Sequence, residues 1–338
     1  MNNKNLVFVI TSVLILSSFM IPINDVFAND GSSIVQVDSL EHEAVTESVF
    51  NSLVQVDADT LALAYRAEDA DGFISTFDIA ADGTITEVDT LEHDTNLSQY
   101  NSLVQVDADT YALAYSGGGN DGFISTFDIA ADGTITAVKT RSLGNNLEHD
   151  TGRSVHHSMV QVDADTYALA YTSDGNDGFI STFDIAADGS SITEVDTLEH
   201  DDVIFAQDNS LVQVDADTYA LAYSGESSDG YISTFTISNT GVVTAVTTQS
   251  LGNNLEHDTV FAADNSLVQV DADTYALAYR GDGFDGFIST FTISNTGVVT
   301  AVRTQSLGNN LEHDTDRGSG NSMVQVDADT YALAYTSD

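Results

Sequence analysis

The chain has 338 residues and a formal charge of −45, from 53 acidic against 8 basic residues, with no cysteine and no tryptophan. Such a charge repels nucleic acid and anionic lipid and excludes both as partners; the missing cysteines exclude disulfides as a source of stability. Hydrophobic residues still make up 42% of the chain, too many for one that stays unfolded.

From the N-terminus, Lys4, the apolar run from Leu6 to about Ile23 and the closing Val26-Phe27-Ala28 read as an export signal cleaved after Ala28. An uncleaved anchor is the alternative, because the run approaches the length that spans a bilayer. Pro22, Asn24 and Asp25 interrupt it and favour cleavage. Residues 29–338 then form one secreted or cell-surface repeat domain, with no membrane insertion after cleavage.

Ser33 to Leu40 comes next and reads as an isolated outer strand, since Asp38-Ser39-Leu40-Glu41-His42 parallels Asp89-Thr90-Leu91-Glu92-His93. After it a phrase close to Asn-Ser-Leu-Val-Gln-Val-Asp-Ala-Asp-Thr-Tyr-Ala-Leu-Ala-Tyr starts at Asn51, Asn101, His157, Asn209, Asn265 and Asn321, at spacings of 50, 56, 52, 56 and 56. In the copy from Asn101, Leu103–Val106 predicts a first strand and Asp107-Ala108-Asp109 a turn held by Asx side chains. Tyr111–Tyr115 predicts a second strand with Tyr111, Leu113 and Tyr115 on one face and Ala112 and Ala114 on the other. Both faces are apolar, one bulky and one small, as in a sheet packed on both sides. A glycine-rich loop leads to a third strand over Phe123–Ile129; Ala131-Asp132-Gly133 turns into a fourth over Thr134–Leu143.

Four antiparallel strands repeated at this period resemble the blades of a β-propeller, and the large-against-small second strand predicts interlocking neighbours. The predicted fold class is all-β, about six four-stranded blades, with a parallel β-helix as runner-up. The Asp-Ala-Asp-Thr-Tyr-Ala-Leu-Ala-Tyr and Asp-Gly-Phe-Ile-Ser-Thr-Phe phrases also resemble those of exported acidic repeat proteins of marine microbes. The hallmarks of named propeller families are absent: no Trp-Asp pair, no kelch double-glycine strand, no sialidase Asp box. A leading outer strand and a sixth copy lacking its third strand leave two readings open, a longer natural chain or an incomplete last blade.

The resemblance implies that loops between second and third strands share one face with the connectors between blades. Sequence variation concentrates in both, so that face is the expected site of recognition. Six residues in it are candidates: Tyr100, His156, His157, Phe205, Phe261 and Phe284. Aromatics there suit sugar or protein contact, or equally fill gaps between blades. Asp69 and Asp71, Asp174 and Asp177, and Asp282 and Asp285 crowd oxygens beside glycines and are candidate calcium ligands, with solvated Asp/Gly turns the plainer reading. The repeated Leu-Glu-His, at His42, His93, His149, His200, His257 and His313, is read as a hydrogen-bonding group tying down each connector rather than a metal ring. The Asp-Ala-Asp pairs, present in every copy, are turn stabilisers. The expected function is a non-catalytic binding or adhesion module of the cell surface or envelope, for protein or carbohydrate. A calcium-dependent, glycosidase-like hydrolase is the alternative.

Overall fold

The computed structural model describes residues 7–11, 37–40, 42, 48–202 and 205–337, and they are almost wholly β. The predicted four-stranded antiparallel unit occurs five times, its strands paired in sequence order. Blade one is Val49–Gln55, Thr60–Arg66, Gly72–Ile79 and Ile85–Asp94; blade three is Val155–Gln161, Thr166–Thr172, Gly178–Ile185 and Ile192–Asp201. Blades two, four and five begin with Gln99–Gln105, Gln207–Gln213 and Ala263–Gln269. Their second strands are Thr110–Ser116, Thr218–Ser224 and Thr274–Arg280, and their third Gly122–Ile129, Gly230–Ile237 and Gly286–Ile293.

In these three the fourth strand is split. Blade two has Ile135–Lys139 and Leu147–Asp150, both paired with the third strand, around a turn where Asn145 Oδ1 accepts from Thr140 N (2.9 Å). That turn accounts for the 56-residue spacings, and it replaces the continuous strand expected over Thr134–Leu143.

The architecture is a β-propeller built of four-stranded antiparallel blades. A sixth sheet pairs Ser319–Asp327 antiparallel with Thr330–Thr336, and Val7–Thr11 runs parallel to the latter, Val7 opposite Thr330. Of the expected leader only these five residues are described; the rest of residues 1–28 lies outside the described residues. Val37–Leu40 is not a strand, yet Asp38 Oδ2 accepts from Ile85 N (2.9 Å) as Asp89 Oδ2 does from Ile135 N (2.9 Å). No helix among the described residues is long and apolar enough to cross a membrane.

The chain divides into two compact units. The first is Val37–Gln207 with Thr236–Thr244; the second holds Asp208–Phe235, Ala245–Asp338 and the strand Val7–Thr11. In the first, Ala62, Ala64 and Ile74 of blade one are buried against Tyr111, Leu113, Tyr115 and Phe127 of blade two. In the second, Ala220, Ala222 and Ile232 meet Leu267, Tyr275, Tyr279 and Phe291. The small face of one second strand thus receives the large face of the next, and each large side chain so buried contributes about 1.5–3 kcal/mol. Polar bonds fix the stagger: Thr76 Oγ1 donates to Gly133 O (2.6 Å), and Leu103 N donates to Ser52 Oγ (2.9 Å).

Variable loops and connectors do share an end of the blades. Ser98 N donates to Ala70 O (3.1 Å), Ser154 N to Asn120 O (2.8 Å), and Gly318 N to Phe284 O (2.9 Å). Each connector is stitched to the preceding blade's loop.

Candidate functional site

At that end every first strand carries the same irregularity. Gln99 pairs with Ser116, but the next pair is Ser102 with Ala114, so the first strand bulges between them. The bulge puts Tyr100 at φ 53°, and its repeat equivalents Phe50, His156, Asp208 and Asp264 at 57°, 56°, 52° and 53°. Only the equivalent Gly320, at 63°, is the residue that this left-handed conformation favours. Bulky side chains pay roughly 1–2 kcal/mol for it. A constant backbone irregularity therefore displays a side chain that differs from blade to blade. Strain of this kind collects at functional sites.

In the first unit the displayed side chains form a row. The Phe50 and Tyr100 rings lie 4.7 Å apart, and the Tyr100 and His156 rings 4.4 Å apart, tilted by 45°. The Arg66 guanidinium stands 5.0 Å over Phe50. His157 lies buried behind the row, where its Nδ1 is 3.1 Å from the Tyr100 carbonyl and its Nε2 2.8 Å from Ser154 Oγ. A carbonyl only accepts, so Nδ1 carries the proton and Nε2 accepts from the serine. Burial holds the His157 imidazole well below its ordinary range and neutral, with His149 adding to the effect.

Most repeats place asparagine where His157 stands. Asn101 Oδ1 accepts from Ser98 Oγ (2.7 Å), and Asn265 Nδ2 donates to Asp208 O (3.1 Å). Ala262 replaces the serine before Asn265, and the buried Asn265 Oδ1 then has no hydrogen-bond partner among the described residues. Ala262→Ser is accordingly expected to stabilise the protein by about 1 kcal/mol, read as a higher urea midpoint at unchanged slope.

In the second unit Asp264 Oδ2 lies 3.3 Å from Arg280 Nε, and the Arg280 guanidinium sits 5.3 Å from Phe261 and 5.4 Å from Phe284. Ser319 Oγ accepts from both Arg280 Nη1 (3.4 Å) and Arg317 Nε (3.2 Å).

The structure thus joins Tyr100, His156 and His157 in one group and Phe261 and Phe284 in another. Phe205 is held by a loop instead, its N–H donating to Asn176 O (3.1 Å). Phe50, Arg66, Asp264 and Arg280 do not stand out in the sequence. The available signal was the residue just before each repeat start, where glycine in one copy replaces Phe, Tyr, His or Asp in the others.

Two of the candidate acidic side chains bond to backbone N–H groups, Asp174 to the connector and Asp282 within its own turn. Asp174 Oδ1 accepts from Arg153 N (3.0 Å), and Asp282 Oδ1 from Gly283 N (2.9 Å). The carbonyls of Asp71, Asp177 and Asp285 close their loops by accepting from Ala67, Ser173 and Gly281. Asp69 is itself left-handed, at φ 60°. Among the described residues no three His, Asp or Glu side chains come together in a group that could hold a metal ion.

Two of the repeated histidines, His93 and His257, differ from their expected role. The rings of His93 and His257 are fully buried, and neither nitrogen of either has a hydrogen-bond partner among the described residues. His93 stands edge-on to Tyr115 (4.9 Å) and Phe127 (5.7 Å) of the next blade, and His257 packs likewise on Tyr279 and Phe291. They are inter-blade wedges, not hydrogen-bonded ties, because the glycine opening the third strand leaves a slot that the ring fills.

No protein-family model and no curated protein matches the chain. Among solved structures it is similar to a periplasmic gluconolactonase from Pseudomonas aeruginosa, with a TM-score of 0.58 and 13% identity over 77% of this chain and 71% of that one. A protein from Bacteroides fragilis assigned as a 6-phosphogluconolactonase gives 0.56 and 16%, over 78% and 70%. A mutant of AofleA from Arthrobotrys oligospora gives 0.53 and 11%, over 83% and 78%. At these identities the likeness is one of fold. The expectation of a non-catalytic binding or adhesion module, and of no enzyme, is corrected by this finding, since the scaffold is shared with proteins named as lactonases. The physical reason lies in the architecture: a propeller assembles a site from single residues on different blades, so no contiguous motif announces it.

Proposed function

We infer that the chain is a hydrolase that opens neutral sugar lactones, working outside the cytoplasm. The observation that carries the reading is the strained row Phe50–Tyr100–His156, set on a scaffold shared with named lactonases. The aromatic faces of Tyr100 and Phe50 take the C–H face of a sugar ring. His156, half-buried beside them, supplies an imidazole, the side chain most often used to move a proton in catalysis. It takes the proton of a water as that water's oxygen bonds to the lactone carbonyl carbon. The tetrahedral oxyanion then collapses, the ring C–O bond breaks, and the proton passes to the departing ring oxygen, leaving an open hydroxy acid. The charge of −45 argues for a neutral substrate over a phosphorylated one, which the surface repels.

Export rests on the leader-like N-terminus, on the likeness to exported acidic repeat proteins and on the periplasmic location of one structural neighbour. The calcium reading of the acidic loops contributes no step here. Titration of base against δ-gluconolactone hydrolysis tests the reading. His156→Ala is expected to lower kcat about 100-fold or more, and Tyr100→Ala to raise KM with kcat nearly kept. No turnover above the spontaneous rate, or a fully active His156→Ala, refutes it.

A further inference from the structure

We propose that Phe261, Phe284, Arg280, Asp264 and Ser319 form a binding site for a neutral pyranose ring in the second unit. The inference does not rest on the lactonase reading, since it requires a saccharide to bind and not to react.

Phe284 is the starting point. It holds the left-handed position of its loop (φ 72°), where the other blades place Ala70, Asn120, Asn176 and Ser228. Asparagine tolerates that conformation, whereas a bulky side chain is strained in it. Strain of this kind is usually offset by burial. Here it is not, because 59% of the Phe284 surface remains open to water. An exposed aromatic in a costly conformation adds nothing to folding that asparagine would not supply better.

The partners around it have the chemistry that a sugar needs. Arg280 lies over both Phe261 and Phe284, so its planar guanidinium is fixed in orientation, with Nε buried against Asp264 and about a fifth of the side chain open to water. Asp264, itself left-handed, supplies carboxylate oxygens beside it, and Ser319 a hydroxyl. An apolar face for ring C–H groups thus stands next to a fixed fork of donors and an acceptor for ring hydroxyls. At this repeat position only Arg66 matches Arg280; the remaining copies have Ser116, Thr172, Ser224 and Thr336. The ligand is neutral because Asp264 already faces the guanidinium and the chain carries −45 overall.

The test titrates the full chain with methyl glycosides of glucose, galactose, mannose and fucose, and with methyl glucuronide, by calorimetry and saturation-transfer NMR. At least one neutral glycoside is expected to bind, with the glucuronide at least 10-fold weaker. Phe284→Asn is expected to weaken binding more than 10-fold while the melting temperature stays equal or rises, and Arg280→Lys to weaken it about 10-fold. Binding by none of the neutral glycosides, equal binding of the glucuronide, or wild-type affinity in Phe284→Asn overturns the proposal.

Discussion

Lowering the pH from 7 to 5 is expected to remove about 6 kcal/mol of folding stability or more, about 2 kcal/mol for each of His93, His200 and His257, with His149 and His157 adding in the same sense. His93, His200 and His257 are completely buried, and burial pushes their imidazoles down to about 3. In the unfolded chain the same groups titrate near 6.5. Between pH 6.5 and 3 the unfolded state therefore binds more protons than the folded state, and stability falls as the pH falls. Below about 3 this source of slope ends. Carboxylates raised by burial, Asp94, Asp258 and Glu256 among them, act in the opposite sense, because the folded state takes up their protons before the unfolded state does. A loss of about 6 kcal/mol is comparable with the whole stability of many domains. Urea unfolding at pH 7, 6 and 5, at constant ionic strength, measures the slope. His257→Phe keeps a ring between Tyr279 and Phe291 and should remove about 2 kcal/mol of the loss. A stability independent of pH in this range would show that the rings are not held neutral.

The second large effect concerns the slot that accepts those rings. A Cβ on Gly230 would stand 2.5 Å from Cε1 and Nε2 of His257 and 2.7 Å from the Ala262 Cβ. Real Cβ atoms do not approach so closely, and His257 cannot retreat because Tyr279 and Phe291 back it. Gly230→Ala is expected to cost about 3 kcal/mol or more, at the upper end of overpacking changes. Gly252 supplies the contrast: it has φ 66° and nothing within 4 Å of its Cβ position, so Gly252→Ala should cost only about 1 kcal/mol of backbone strain. The double variant Gly230→Ala/His257→Ala should recover part of the loss, since the two sites share one contact. Equal costs for the two glycines would refute the wedge.

Much of the blade was legible in the sequence. Strand alternation is a property of period two along one strand, so Tyr111, Leu113 and Tyr115 could be assigned to one face without knowing what they meet. The interlock of Ala112 and Ala114 with the next blade followed from size alone. The candidate site was only half legible. Tyr100, His156, Phe261 and Phe284 stood out as odd residues in variable segments, but Phe50, Asp264 and Arg280 did not. Their significance comes from a bulge and from neighbours tens of residues away. The Leu-Glu-His repeat was visible and its role misread, because the motif shows a polar ring and hides the glycine slot that takes it in.

The sequence by itself determined the repeat, the strand faces, the acidity and the end of the blades where variation gathers. All of these are local patterns or sums over the chain. Tertiary structure alone decided which variable side chains meet, which histidines lose their water, and which loop carboxylates bond to backbone. Those outcomes depend on the stagger between sheets whose contacting residues lie some fifty positions apart, and no local pattern specifies that stagger.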